Sequence, residues 1–283
     1  MAGHRSPVRA VPGAEGEPEG EPLSEPELGG ARAAPLGRML RVWIRQEILL
    51  LLREPVAVFF SLAFPAVIYV FIGIPYADEV VDDGLRFIDV VFPALVGTVA
   101  ANLLLMGLPI YVAELRGREV DKRYRAMPLP PGVFGAAVVI AMLTLVAAAS
   151  AVIVAMVAVG SGLRAEVLDP LFVLLNLAFV AMLCPIGFFL GTLAFSARTI
   201  QALTAAVFFV LFFGSGAAAP LDGLPGPFRA VLEWNPLKIW FDLLVTVYVD
   251  RGVELSLWLR TGLTLVVSAL ALAGGLRNWK RVP

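Results

Sequence analysis

The 283-residue sequence holds a single cysteine, Cys184, and a single histidine, His4. An intrachain disulfide is therefore excluded, and no His/Cys metal cluster can be assembled. Lysine is nearly missing: Lys122, Lys238 and Lys280 stand against 19 arginines. The lysines are followed by Arg, Ile and Arg, so the phosphate-cradling pattern GxxxxGK[ST] is absent. No cofactor is expected to bind the chain. Charge is scarce as well, at 16% of residues, where a soluble domain carries ~25%. The net charge of −1 gives no electrostatic reason to expect a nucleic-acid partner. What fills the chain is apolar: 59% of residues, with a mean hydropathy of +0.84. Those values exclude the soluble class.

Residues 1–35 differ from the rest. They are rich in Pro, Gly and Ala, with six glutamates between Glu15 and Glu27. Such a stretch buries too little apolar surface to offset its ordering entropy and is predicted to be a disordered cytoplasmic tail. It lacks an apolar run and so does not read as a signal peptide.

Spanning a bilayer takes ~20 mostly apolar helical residues. Runs of that kind cover 56–74, 90–112, 133–159, 171–195, 200–218 and 257–276. Backbone groups in lipid must be satisfied internally, so the reading is an all-α integral membrane protein with six crossings in a single domain, 36–283. Pro65, Pro93, Pro109 and Pro185 predict kinks. With the N-terminus inside, the flanks hold 13 basic residues on the inner side and 6 on the outer, the tail excluded. By the positive-inside rule both termini are cytoplasmic. The Arg-, Ala- and Gly-rich usage suits a GC-rich bacterial genome, and hence a bacterial cytoplasmic membrane.

Ahead of the first crossing, 36–54 reads as an amphipathic interfacial helix. Arg38, Arg41 and Arg45 share one face and point to headgroups, with Arg53 near the end. Leu40, Ile44, Ile48 and Leu51 fall opposite, with Trp43 beside them, and are expected to enter the acyl boundary. The loop 113–132 is long and mixed in charge. On the other side, 219–244 is too apolar for a solvated loop yet broken by Pro220, Pro225, Pro227 and Pro236. Short helices that dip into the outer leaflet and return explain both properties.

Inside the spans, ionisable residues are nearly absent, which argues against ion coupling. Asn102, Thr144, Asn176 and Thr192 are the main polar groups at depth, expected to bond between helices or to line a pathway. Gly187 and Gly191 form a GxxxG spacing, which serves either packing within the chain or a seam between two copies. No convergent acid/base or metal constellation is visible, so an intramembrane enzyme is disfavoured.

The order of these features is specific. The stretch E-L-R-G-R-E…R-A-M-P-L-P (Glu114–Pro130) and the stretch P-L-D-G-L-P…L-E-W-N-P-L (Pro220–Leu237) follow an amphipathic lead-in helix in the same frame of six crossings. Over roughly Leu36 to Lys280 the chain resembles the transmembrane subunit of type-2 ABC transporters, the group with daunorubicin-resistance-type drug exporters and polysaccharide exporters. The resemblance implies that Glu114, Arg116, Gly117, Arg118, Glu119, Arg123, Met127 and Pro128 belong to a loop coupling to an ATPase. It also implies that Pro220, Pro225, Trp234, Asn235 and Pro236 belong to re-entrant outer helices. ATP and Mg would then sit on a separate ATPase subunit dimer, and a second permease copy or homologue would complete the pathway. The implied function is export of an amphipathic or hydrophobic cargo: a drug, a lipid-linked molecule or a glycan. A non-transporting assembly or immunity protein of the same frame is the alternative.

Overall fold

The computed structural model describes residues 36–52, 55–81, 84–117, 131–217 and 223–281. The tail 1–35 lies outside them, so the expectation for it has no structural counterpart here. Apart from an isolated β-bridge between Val80 and Arg86, the described residues fold into helices and turns. Helix α1 spans Leu36–Leu52. Helix α2 runs from Pro55–Ile68 through a π-helical turn, Tyr69–Gly73, into Ile74–Tyr76. Helix α3 is built the same way, from Phe87–Asn102 through Leu103–Gly107 into Leu108–Gly117. Then come α4, Pro131–Gly160, and α5, Pro170–Gly191, with a short 3-10 turn between them. Helix α6 is Ala197–Phe213, α7 is Gly226–Leu232, α8 is Pro236–Tyr248 and α9 is Leu255–Arg281.

Both π turns have a cause in the sequence. Each is followed at its second residue by a proline, Pro75 and Pro109. Proline has no N–H to give, and its ring crowds the carbonyl four residues earlier. Widening the turn relieves that crowding: Ile74 N–H reaches Tyr69 O and Leu108 N–H reaches Leu103 O, five residues back. Pro65, Pro93 and Pro185 lie within α2, α3 and α5.

Among the described residues, four helical stretches are long and apolar enough to cross a membrane: Phe87–Gly117, Gly135–Gly160, Pro170–Gly191 and Leu255–Trp279. Of the other two expected crossings, one falls on α6, a shorter apolar helix of Ala197–Phe213, and one on α2, whose apolar part Leu62–Tyr76 continues a helix that begins at Pro55. Helix α5 ends at Gly191, short of the expected Phe195, because Thr192 closes it on Phe188 and Phe189 carbonyls.

Helix α3 is the axis of the bundle. Its apolar window is 67% buried, against 17% for α9, and it packs against α2, α4, α5, α6 and α8. Helices α5 and α9 run side by side in the same direction, with Ser268 Oγ donating to Met182 O and Trp279 near Phe188. The GxxxG pair faces inward. A Cβ on Gly187 would collide with the Leu104 carbonyl, and one on Gly191 would lie 2.7 Å from Val112 Cβ. Of the two roles open from the sequence, close packing within the chain is the one this surface serves.

The apolar face of α1 is a correction. Leu40, Trp43, Ile44 and Ile48 are half-buried and Glu47 is buried, while Arg38, Arg41 and Arg45 are exposed. That stripe turns onto α4, not into an acyl boundary. The apolar residues of α1 left exposed are Val42, Leu49 and Leu50. Periodicity identifies the stripe that is covered; it does not say what covers it.

Elsewhere the exposed surface is strongly apolar. Leu259, Leu263, Val266, Val267 and Leu270 of α9, and Leu174 and Leu177 of α5, are all exposed. Contiguous apolar surface of that extent suits hydrocarbon, not water.

Candidate functional site

The segment between α6 and α9 folds into two helices joined at a buried asparagine. Pro225 precedes α7, and Pro236 is the first residue of α8, where its missing N–H costs nothing. Asn235 is 6% exposed. Its Oδ1 accepts from Leu237 N–H at 2.9 Å, capping α8, while its Nδ2 donates to Leu211 O of α6 at 2.7 Å. One side chain thus closes two helix ends, the free donors of one and the free carbonyls of the other. At its far end α8 stops in a left-handed turn at Asp250, φ 55°. There Arg251 N–H returns to Thr246 O and Asp250 N–H to Val247 O.

Helix α8 buries Leu237, Ile239, Trp240, Phe241, Leu243, Leu244, Val247 and Tyr248. Trp240 Nε1 donates to Thr264 Oγ1 of α9, and Phe179 of α5 lies against both Trp240 and Phe241. Tyr248 packs on Phe92 and Phe172, and its hydroxyl accepts from Arg164 N–H. Nearby, Arg86 pairs with Asp89 at 2.9 Å and donates to Ser161 O, tying α3 to α4.

Between α3, α7, α8 and α9 lies a cavity of about 540 Å³. Six ionisable side chains border it: Arg229, Glu233, Lys238, Asp242, Glu254 and Arg260. Lys238 Nζ donates to Asp242 Oδ2 at 2.6 Å, and Arg260 Nη2 to Glu233 Oε2 at 3.3 Å. The Arg260 guanidinium also sits 5.3 Å from the Trp234 ring centroid. Val90, Val91 and Ala94 of α3 supply an apolar wall. The sequence reading missed these charges as a group, because each stands alone in an apolar segment. Lys238 and Asp242, at i and i+4 on one helix, were the available signal.

At the opposite end of the bundle, α3 delivers Glu114, Arg116 and Gly117. Arg116 Nη1 donates to Gly191 O at 3.1 Å and Leu193 O at 2.6 Å. The structure therefore gives Arg116 an internal partner, the end of α5 and the turn that follows it. Arg118, Glu119, Arg123, Met127 and Pro128 of that loop lie outside the described residues, as do Arg53 and Pro220.

Three of the four polar residues at depth bond locally and not between helices. Thr144 Oγ1 donates to Ile140 O, Asn176 Nδ2 to Phe172 O and Thr192 Oγ1 to Phe189 O, each within its own helix. Asn102 is half-buried at the start of the α3 π turn. A buried polar group the sequence reading passed over is Glu47, 1% exposed on α1. It accepts a hydrogen bond from Tyr111 of α3. Burial pushes its carboxyl above the usual value of 4.5, with the Tyr111 bond acting in the opposite direction. The signal was an acid set among Leu40, Ile44 and Ile48.

An all-helical bundle with several long apolar helices and an apolar exterior is a multi-pass membrane protein. A family model described as ABC-2 type transporter matches residues 38–249. The chain belongs to the ABC-2 type transporter family and is its membrane component, which is not itself an ATPase; by family, such permeases pair with ATPase subunits. No curated protein matches the chain.

Proposed function

We propose that the chain lines the pathway of an ATP-driven exporter for an amphipathic or hydrophobic cargo, either drug-like or lipid-linked. The observation that carries this reading is the course of α3. Val90, Val91 and Ala94 of this one helix border the charged cavity, and the same helix ends in Glu114–Gly117, directly before the loop 118–130. At ~1.5 Å per residue the helix spans roughly 45 Å, longer than the ~30 Å hydrocarbon core. A push at the loop end is therefore transmitted along a single buried rod to the cavity wall.

In this reading the loop 113–132 docks a separate ATPase dimer, which holds the ATP and Mg. Its charges set register. Both termini face the cytoplasm of a bacterial plasma membrane, supported by the excess of Arg and Lys in the inner flanks. A second copy or a homologue completes the pathway.

The test is charge reversal at Arg118 and Arg123 together, with the ATPase co-expressed. Arg116 is left intact because its guanidinium already serves Gly191 and Leu193. The double variant is expected to insert and purify normally but to lose ATPase co-purification and cargo-stimulated ATP hydrolysis. Co-purification at the wild-type level defeats the proposal.

A further inference from the structure

The cavity between α3, α7, α8 and α9 carries three cationic and three anionic groups beside an apolar wall. Two ion pairs in its lining, Lys238–Asp242 and Arg260–Glu233, are neither sealed nor bathed in bulk water. Side-chain exposure is 23% and 46% for Lys238 and Asp242, and 33% and 43% for Arg260 and Glu233. Both pairs therefore face the open space of the cavity.

The arrangement selects by charge. A purely anionic guest that takes Lys238 or Arg260 leaves Asp242 or Glu233 without that partner, and it adds its charge to those of Glu233, Asp242 and Glu254 at the edge of an apolar bundle. A purely cationic guest leaves the bases stranded in the same way. Separating so partly exposed a pair carries a modest cost, and it falls on a guest of either single sign. A guest with one charge of each sign inserts between the partners and leaves both members of that pair matched. An alkyl chain attached to it finds Val90, Ala94 and Phe241 alongside.

We propose that this cavity binds an amphipath with a zwitterionic headgroup, one acidic and one ammonium group, on a hydrocarbon chain. This rests on the export reading only in taking the guest as cargo; binding itself requires no ATPase. The volume, about 540 Å³, is in the usual range for a site of this kind, ~300–1,000 Å³.

The experiment uses the full chain in phosphatidylglycerol nanodiscs. Trp234, beside Arg260, is the fluorescent reporter, and a Trp234→Phe chain provides the background to subtract. Four amphiphiles of one chain length are titrated: dodecylphosphocholine, dodecyl sulfate, dodecyltrimethylammonium and dodecyl maltoside. The phosphocholine is expected to saturate the signal at a concentration on the order of tenfold lower than the other three. In the doubly neutralised variant Lys238→Gln/Asp242→Asn, which keeps the Arg260–Glu233 pair, that preference shrinks while maltoside binding persists. The swapped variant Lys238→Asp/Asp242→Lys retains the preference and guards against misfolding of the neutral one.

Equal affinity for all four amphiphiles, or a preference untouched by neutralisation, overturns the proposal. Replacing the nanodisc lipid with phosphatidylcholine identifies the source. A weaker apparent affinity for dodecylphosphocholine means that bilayer lipid occupies the site; an unchanged one means a single-chain guest. Loss of this selectivity leaves ATPase docking unaffected, so the two proposals fail separately.

Discussion

The phenolic hydroxyl of Tyr111 on α3 donates a hydrogen bond to the carboxylate of Glu47 on α1, across the seam where the lead-in helix meets the bundle. Glu47 is 1% exposed, so the folded protein favours its neutral form, and its carboxyl titrates above the ordinary 4.5. The folded state then binds more protons than the unfolded state between that value and the raised one. The contribution of Glu47 to stability is fully present below pH 4.5 and is lost as pH rises through the raised value. Glu47→Gln stays neutral throughout and keeps an acceptor for Tyr111. Thermal unfolding in nanodiscs at pH 5 and pH 8 is expected to show a smaller difference for Glu47→Gln than for the wild type. Identical pH profiles would remove buried ionisation from the account.

Gly187 sets the distance between α5 and the π turn of α3. Its missing Cβ leaves room for the Leu104 carbonyl, a backbone atom that cannot rotate away. Gly187→Ala is expected to cost about 1–3 kcal/mol by overpacking. Gly37→Ala on α1, where nothing lies within 4 Å, is the control. Melting temperatures of the two purified variants check this, and equal values count against the close packing.

How much of this was legible in the sequence depends on the physics involved. Lipid demands long apolar runs, so α3, α4, α5 and α9 announce themselves by composition alone. The lead-in helix is visible by its period, yet its apolar stripe rests on α4, because a face records burial and not its cover. The π turns follow from Pro75 and Pro109; the sequence predicts a kink at Pro109, but the widening of the turn is set by how the helix accommodates the proline ring within the bundle. Thr144 and Asn176 satisfy themselves on carbonyls one turn earlier, a local option that competes with every interhelical bond. The cavity was hidden, since Glu233 and Arg260 lie far apart in sequence and meet only in the fold.

Asn235 is expected to be a sensitive residue of the segment between α6 and α9. Asn235→Ala removes the cap on Leu237 N–H and the bond to Leu211 O together. The cap alone accounts for about 1 kcal/mol, and the orphaned Leu211 carbonyl adds ~1–3 kcal/mol. Asn235→Asp keeps the acceptor for Leu237 but has no N–H for Leu211. Its melting temperature is expected between those of the wild type and Asn235→Ala. If Asp and Ala are equally damaging, the cap contributes nothing and only the link to α6 matters.

Arg116 separates an internal role from a docking role. Its guanidinium reaches Gly191 O, the last carbonyl of α5, and Leu193 O in the turn beyond it. A cation at that position also opposes the negative end of the helix dipole. Arg116→Glu places a carboxylate against those carbonyls and is expected to lose about 1.5–3 kcal/mol, the range for a charged hydrogen bond. Arg116→Lys, with a single ammonium, recovers part of it. Reversal at Arg38, exposed on α1, is expected to stay within roughly 0.5 kcal/mol. Melting temperature is read beside ATPase co-purification on the same samples. Should Arg116→Glu melt like the wild type while shedding the ATPase, the guanidinium belongs to the partner and not to the end of α5.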